Sequence, residues 1–287
     1  PVPSIDNRVV PALQGRVVGG SGAINGMVYV RGQADDFNRW AQLGNPGWGY
    51  DDVLPYFRKS ERWRNGGDTW RGDKGDMPVF ALDLENELVD AFLNAAQQVG
   101  IPRNADYNAG DQAGAGVYQY NIGRGMRKAP GQAFLKKAMK SGAIDLRTDA
   151  RATEVVFEGT RATGIRYTQG NGASTRIVKA SREVILCGGA INTPRLLQVS
   201  GVGNPDLLRN SGAPVTQALN GVGENLNDHF TPRTVVRVKD AVTINDMARG
   251  PRLIGQGINW LLQRPSIIGM GVVLGNIFWE SDPSLDR

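Results

Sequence analysis

The sequence predicts an α/β protein, α+β overall, on three observations. The run EVILCGGA, residues 183–190, is almost continuously apolar and passes straight into helical sequence, the pattern of a strand buried on both faces of a parallel sheet. Ahead of it, strand-like runs at 152–157, 162–168 and 175–179 are separated by turn signals at Glu158-Gly159 and at 169–172, so they fold as a meander. The segment NELVDAFLNAAQQV, residues 86–99, has the apolar spacing of an amphipathic helix.

Taken in order, the chain opens with a glycine-rich and then apolar block over residues 15–32. Trp40, Leu43, Val53, Leu54 and Phe57 follow at helical spacing, with Asp51 or Asp52 expected to cap a helix over 53–61. Residues 65–75 are polar and glycine-rich and read as a loop. The helix at 86–99 is stopped by Gly100, with Pro102 beyond it. A turn-rich connection over 104–116 leads to a strand at 117–122, and a helix at 131–139 ends at Ser141 and Gly142. After the meander, the strand at 183–186 feeds a helix with Thr193 as N-cap, Pro194 in its first position, Leu196 and Leu197 facing inward, and Gly201 closing it in a left-handed turn. The apolar stretch 267–279 is broken by Gly269, Gly271, Gly275 and Asn276; it is too short to span a bilayer and reads as a buried strand with glycine bends.

Composition narrows the function classes. A chain of 287 residues with 40% hydrophobic content supports one large or two ordinary cored domains, which excludes a disordered protein. The single cysteine, Cys187, excludes an internal disulfide and has no metal-ligand spacing around it, so no metal site is expected and the default compartment is the reducing cytoplasm. The net charge of +5 is spread rather than clustered, which argues against a nucleic-acid partner. The opening PVPSIDNRVV has neither the basic nor the apolar region of a signal peptide, and no transmembrane segment is expected.

The chemistry lies in two stretches. Gly19-Gly20-Ser21-Gly22 presents backbone with almost no side-chain bulk, so a phosphate oxygen or a flat ring can approach the main chain. No Lys-Ser or Lys-Thr pair follows these glycines, which excludes a nucleoside-triphosphate loop. The second stretch, GAINTPRLLQVSGVG over 189–203, combines a small-residue turn with a helix N-terminus. Alone, each is common in α/β proteins. Together and in this order, residues 15–37 (GRVVGGSGAINGMVYVRGQADDF) and 189–203 resemble the two signature segments of the glucose-methanol-choline family of flavin-dependent alcohol oxidoreductases. The first carries Arg16, Gly19, Gly20, Ser21, Asn25, Tyr29, Gly32 and Asp36 at matching positions; the second matches throughout. ARATEVVFEG at 150–159 and GVGENLNDH at 221–229 resemble two further landmarks of the family.

The resemblance implies a flavin domain of the FAD/NAD(P)-binding type, incomplete here, and part of an antiparallel-sheet substrate domain. Its expected divisions are 1–62 and 143–230 for the FAD-binding domain, 63–142 for a cap or substrate-domain segment, and 231–287 for the start of the substrate-binding domain, beginning with a strand TVVRVKD. It implies non-covalent FAD, because Ile24 stands where some members carry a tethering histidine. Gly19, Gly20 and Ser21 would lie along the ribityl and pyrophosphate region, and Arg16 and Val18 would also be cofactor-binding residues. Asn25, Gly26, Met27 and Val28 would run beside the isoalloxazine, where Asn25 and the following amides donate hydrogen bonds that stabilise the charge gained on reduction. Ala152 would meet the adenine through its backbone, and Gly188 and Gly189 would let the chain approach the flavin.

The same resemblance implies oxidation of a primary alcohol with hydride passing to flavin N5, the general look being that of bacterial choline-dehydrogenase-like members; the electron acceptor is unspecified. A G-x-G-x-x-G fingerprint should precede the first signature and a catalytic histidine should follow the matched region. Neither is present, so the chain reads as the middle half of such an enzyme. His229, the one histidine, is expected to be structural, and no catalytic residue is assigned. Two rivals remain: a lyase or decarboxylase on the same scaffold, and a non-catalytic or split fragment that requires a partner chain.

Overall fold

The computed structural model describes residues 6–9, 11–170, 174–229, 231–271, 273–280 and 282. They form two compact units, Pro1–Ile144 with Arg237–Arg287, and Asp145–Val236.

In the first unit, two helices follow the glycine-rich block. Gly44, Asn45, Pro46 and Gly47 interrupt the helical spacing, so the stretch folds as Ala34–Gln42 and Tyr50–Ser60. Each starts with an aspartate at its third position reaching back to the main chain: Asp36 accepts from the Gln33 N–H at 2.8 Å and Asp52 from the Gly49 N–H at 3.1 Å. The second helix therefore begins before the expected cap, with Asp51 and Asp52 inside its first turn. Helix Glu87–Gln98 starts on Asn86, whose carbonyl accepts from Leu88 and Val89, and ends at Gly100 with φ of 89°. It buries Val89, Leu93 and Ala96 against Ala115.

Strand Glu61–Trp63 pairs parallel with Met77–Ala81, which pairs antiparallel with Gln119–Tyr120. Gly114–Val117 pairs antiparallel with Gly275–Phe278, so the apolar stretch near the chain's end contributes a four-residue strand after a 3-10 turn at Ile267–Gly269. The helix expected at 131–139 is present but starts as a π-helical turn, Gly131–Leu135, before Lys136–Met139.

The second unit holds the meander: Ala150–Glu158, Arg161–Gln169 and Ser174–Lys179, each antiparallel to the next. Gly159 at φ of 61° makes the first turn; residues 171–173 of the second turn lie outside the described residues. Helix Gly189–Val199 packs on the first meander strand, and Pro205–Asn210 follows, capped by Asn204.

Two expected strands are absent. Residues 183–187 form no ladder, with Ile185 74% exposed, and 234–240 are likewise unpaired, with Val235 90% exposed. Both carry β-branched sequence, but a strand needs a neighbour to take its N–H and C=O groups, and none lies among the described residues. The helix after 187 also begins earlier than expected: Thr193 and Pro194 sit inside it, and the Thr193 hydroxyl accepts the N–H of the N-cap residue Gly188 at 3.0 Å. Gly201 does close that helix, at φ of 87°.

Candidate functional site

The first glycine-rich stretch forms a tight turn with one packed and one open side. Gly20–Ala23 is a single 3-10 turn entered through Gly19 at φ of 100°. On the packed side, a Cβ on Gly22 would stand 2.7 Å from Pro130 Cδ, so this position tolerates no side chain. On the open side, a Cβ on Gly20 or Gly26 would meet nothing within 4 Å. Ser21 braces the turn from within, its hydroxyl accepting the Gly15 N–H at 3.2 Å. Arg16 and Val18 flank it, both with exposed side chains.

Beyond the turn, the chain is held by a segment 90 positions further on. Tyr29 N–H donates to Gln119 O at 2.8 Å and Asn121 N–H to Met27 O at 3.0 Å, with Val28 bridged antiparallel to Tyr120. Met27 takes φ of 65°, a conformation costly for a non-glycine residue, which bends the loop between Asn25 and Val28. The Met27 N–H donates to Asn25 Oδ1 at 3.1 Å, and Arg127 Nη1 donates to the same oxygen at 2.7 Å.

A buried ionic cluster anchors the far end of this segment. Glu61, wholly buried, accepts from Arg71 Nε at 2.9 Å, Arg71 Nη2 at 3.0 Å and the Gly72 N–H at 2.9 Å. Arg31 Nη2 lies 2.9 Å from Glu61 Oε1 as an ion pair, out of line for a hydrogen bond, while Arg31 Nη1 donates to Trp70 O at 2.7 Å. Arg71 Nη1 continues to Asp106 Oδ1 at 2.6 Å and Gln119 Oε1 at 2.9 Å, and its guanidinium lies 4.0 Å above the Trp63 ring. Asn108 closes the circuit, donating to Gln119 Oε1 and to Tyr29 O and accepting the Arg31 N–H at 2.8 Å. The Tyr107 hydroxyl accepts the Gln119 N–H at 2.7 Å and donates to Tyr29 O at 3.1 Å. Burial pushes the Tyr107 phenol well above its ordinary range, so it stays a neutral donor. Burial likewise raises Tyr29, with the Glu61 charge adding to it.

In the second unit, Ala152 sits on the first meander strand, and the register slips between Ala152 and Glu154, leaving Thr153 as the extra residue. Such a bulge re-aims the chain at that point. Gly188 and Gly189 form the start of helix Gly189–Val199; Gly189 takes φ of 83°, and a Cβ there would meet nothing within 4 Å. Ser200 ties the other end of this helix to the meander, accepting the buried Val155 N–H at 2.8 Å and donating to Leu196 O. The His229 side chain is 99% exposed, its Nδ1 lying 3.8 Å from Asp228 Oδ1 and its main-chain N–H donating to the same oxygen at 2.8 Å. Among the described residues no cluster of His, Cys, Asp or Glu has the makings of a metal site, and no helix is long and apolar enough to cross a membrane.

A glycine turn with an open face, followed by a bent loop whose asparagine carbonyl is already engaged, fits a flat nucleotide cofactor laid along the main chain. A profile of the GMC oxidoreductase family matches residues 2–231. The chain belongs to the GMC oxidoreductase family. It is 44% identical to an oxygen-dependent choline dehydrogenase of Sinorhizobium fredii over 230 residues, covering 80% of this chain and 41% of that protein. With the mitochondrial choline dehydrogenase of Mus musculus it shares 40% over 261 residues, 91% of this chain and 44% of the relative. Among solved structures, an FAD-dependent oxidoreductase from Chaetomium thermophilum superposes with a TM-score of 0.80 at 29% identity, covering 94% of this chain and 50% of that one. The chain thus spans less than half the length of the curated relatives it matches. The α/β flavin-binding fold class expected from the sequence is that of these neighbours.

Arg127 and the cluster around Glu61 contact or brace the candidate site, and sequence reasoning missed them. Their partners lie from 10 to more than 100 positions away, as in Glu61 with Arg71 and Asn25 with Arg127. Glu61 and Arg127 both lie in charge-rich runs, RKSERWR at 58–64 and RGMRK at 124–128, so no local signal set them apart from solvated surface charge.

Proposed function

We propose that the protein containing this chain binds FAD non-covalently and oxidises the CH–OH group of a primary alcohol. When bound, the flavin supplies a two-electron acceptor that takes hydride at N5. Arg16, Val18, Gly19, Gly20 and Ser21 lie along its ribityl and pyrophosphate region, and Asn25, Gly26, Met27 and Val28 line the ring. In the second unit, Ala152, Gly188 and Gly189 carry the remaining contacts of this reading. The observation that carries it is the Asn25–Val28 loop: its Asn25 carbonyl is taken by Arg127 and Met27, which turns the amide NH2 outward as a donor suited to a ring gaining negative charge.

The described residues supply binding and electrostatics, and no group among them is assigned to take the hydroxyl proton. The domain grouping 1–62 with 143–230, a substrate domain built on 63–142 and 231–287, and a cytoplasmic location belong to the same reading; the exposed, unpaired Cys187 suits a reducing compartment. Relatives named choline dehydrogenase make choline the first alcohol to test. The experiment is anaerobic mixing of the purified full-length protein with choline and other primary alcohols while the visible flavin spectrum is followed. Bleaching supports the reading; a bound flavin that none of the alcohols bleaches points to the lyase or decarboxylase chemistry, and a protein without flavin refutes it.

A specific observation favours a second reading for the chain on its own. The unpaired residues 183–187 and 234–240 expose Ile185 and Val235, the mark of strands whose neighbours come from other segments or a partner chain. Under that reading the chain alone is inactive and gains flavin only on mixing with the completing segment.

A further inference from the structure

We infer that Arg127 is a positioning residue that fixes the Asn25 side-chain amide in the one orientation able to donate to the flavin, an inference that rests on the flavin reading above. Asn25 Oδ1 receives two donors, the Arg127 guanidinium at 2.7 Å and the Met27 N–H at 3.1 Å. A flip of the amide would set its NH2 against both. Loss of a hydrogen bond to a charged group costs roughly tenfold or more in an equilibrium, so the flipped form is a minor species. Among the described residues no protein group bonds to the Nδ2 end, and at the next position, Gly26, a Cβ would meet nothing within 4 Å, so there is open space beside the amide. Arg127 also reaches Gly22 O at 3.4 Å, so one guanidinium spans both ends of the loop from Gly22 to Asn25.

Arg127 is itself held by a rigid mount. It closes a hairpin, Ile122–Gly123 paired with Met126–Arg127, whose two turn residues Arg124 and Gly125 take φ of 54° and 66°, the paired positive values that suit a tight hairpin. Trp260 clamps that turn from outside, its indole N–H donating to Gly125 O at 2.9 Å. The base of the hairpin is tied to the same loop, since Asn121 donates its N–H to Met27 O and its side-chain amide to Lys128 O. Asn25 and Arg127 thus belong to one braced unit although 102 positions separate them.

The test is a double-mutant cycle in the full-length flavoprotein, with sulfite as the probe. Sulfite adds through its sulfur lone pair to N5 of oxidised flavin and leaves a negative charge on the ring, so its affinity reads donors at the polar edge without turnover. Arg127→Gln is expected to weaken sulfite binding about tenfold, and Asn25→Ala by a similar factor. The double variant should be no weaker than Asn25→Ala alone within about twofold, since Arg127 acts through Asn25. Arg127→Lys, which keeps a charged donor, should recover most of the loss, and flavin content measured in each variant separates a lost orientation from a lost fold. Additive losses, or unchanged affinity in Arg127→Gln with flavin retained, would overturn the inference while leaving flavin binding intact. A wild-type protein without flavin would refute the proposed function and this inference with it.

Discussion

Replacing Glu61 with alanine removes the carboxylate that two buried arginines of the first unit share. The carboxylate is wholly buried and is the shared counter-charge of Arg31 and Arg71, whose side chains are 2% and 0% exposed. Before the change, two guanidinium groups face two carboxylates, Glu61 and Asp106. Afterwards two buried cations share Asp106 alone, which is itself 23% exposed and bonded only to Arg71 of the pair. Three hydrogen bonds to charged partners also go, from Arg71 Nε, Arg71 Nη2 and the Gly72 N–H. Breaking a buried pair from one side costs about 3–5 kcal/mol, because the partner charge is stranded in low dielectric. An internal control is Asp83→Ala, which removes a pair with Arg64 at 2.6 Å whose side chains are 59% and 47% exposed, and which should cost under about 1 kcal/mol. Urea unfolding followed by tryptophan fluorescence suits the comparison, since Trp63 lies directly under Arg71. If the two variants unfold within about 1 kcal/mol of each other, the burial argument fails.

Three further changes probe other parts of the fold. Gly72→Ala would set a Cβ 1.8 Å from Arg58 O, an overlap only backbone movement relieves, so a loss of about 3 kcal/mol or more is expected in the same unfolding assay; a loss under about 1 kcal/mol would contradict the close approach. Ser200→Ala strands the buried Val155 N–H and should cost about 1–3 kcal/mol, read as faster hydrogen exchange at the Val155 amide; unchanged exchange there would count against it. At high pH, burial raises the phenols of Tyr107 and Tyr120 above the ordinary value of 10.0. Once the pH passes that value the unfolded chain releases protons that the folded chain keeps, so stability should fall by up to about 1.4 kcal/mol per pH unit per tyrosine, with no contribution below it. Thermal unfolding that is flat from about pH 9 to about pH 11 would sink this.

Local chemistry was legible in the sequence wherever the physics is local. The helix expected at 86–99 is present and Gly100 ends it; the meander lies within two residues of its expected limits; Gly201 takes the left-handed turn expected of it. Errors of boundary had local causes too. A hydroxyl ahead of a proline predicts an N-cap at Thr193, yet in the folded chain that hydroxyl reaches back five positions to the Gly188 N–H from within the helix. The strands expected at 183–186 and 234–240 but absent from the structure are a different matter, since β-branched sequence states a preference and only a neighbour makes a ladder.

The glycine loop itself was readable, but what makes it a site was not. Composition shows that Gly20 and Gly26 can be approached; it does not show that Tyr29 and Met27 are laced to residues 119–121, or that Asn25 is turned by Arg127. Those contacts come from a segment assigned by sequence to another domain. The same segment, through Asp106, Asn108 and Gln119, completes the ionic cluster around Glu61 and Arg31. On the flavin reading proposed above, a loop that holds hydrogen-bond donors at a charge-gaining ring must not relax when the charge appears. Pairing on one side, a buried ion cluster at the far end and a single arginine across the near end give it that stiffness. The order of segments follows from this: the signature comes early, its brace comes nearly a hundred residues later, and neither is informative about the other until the chain folds.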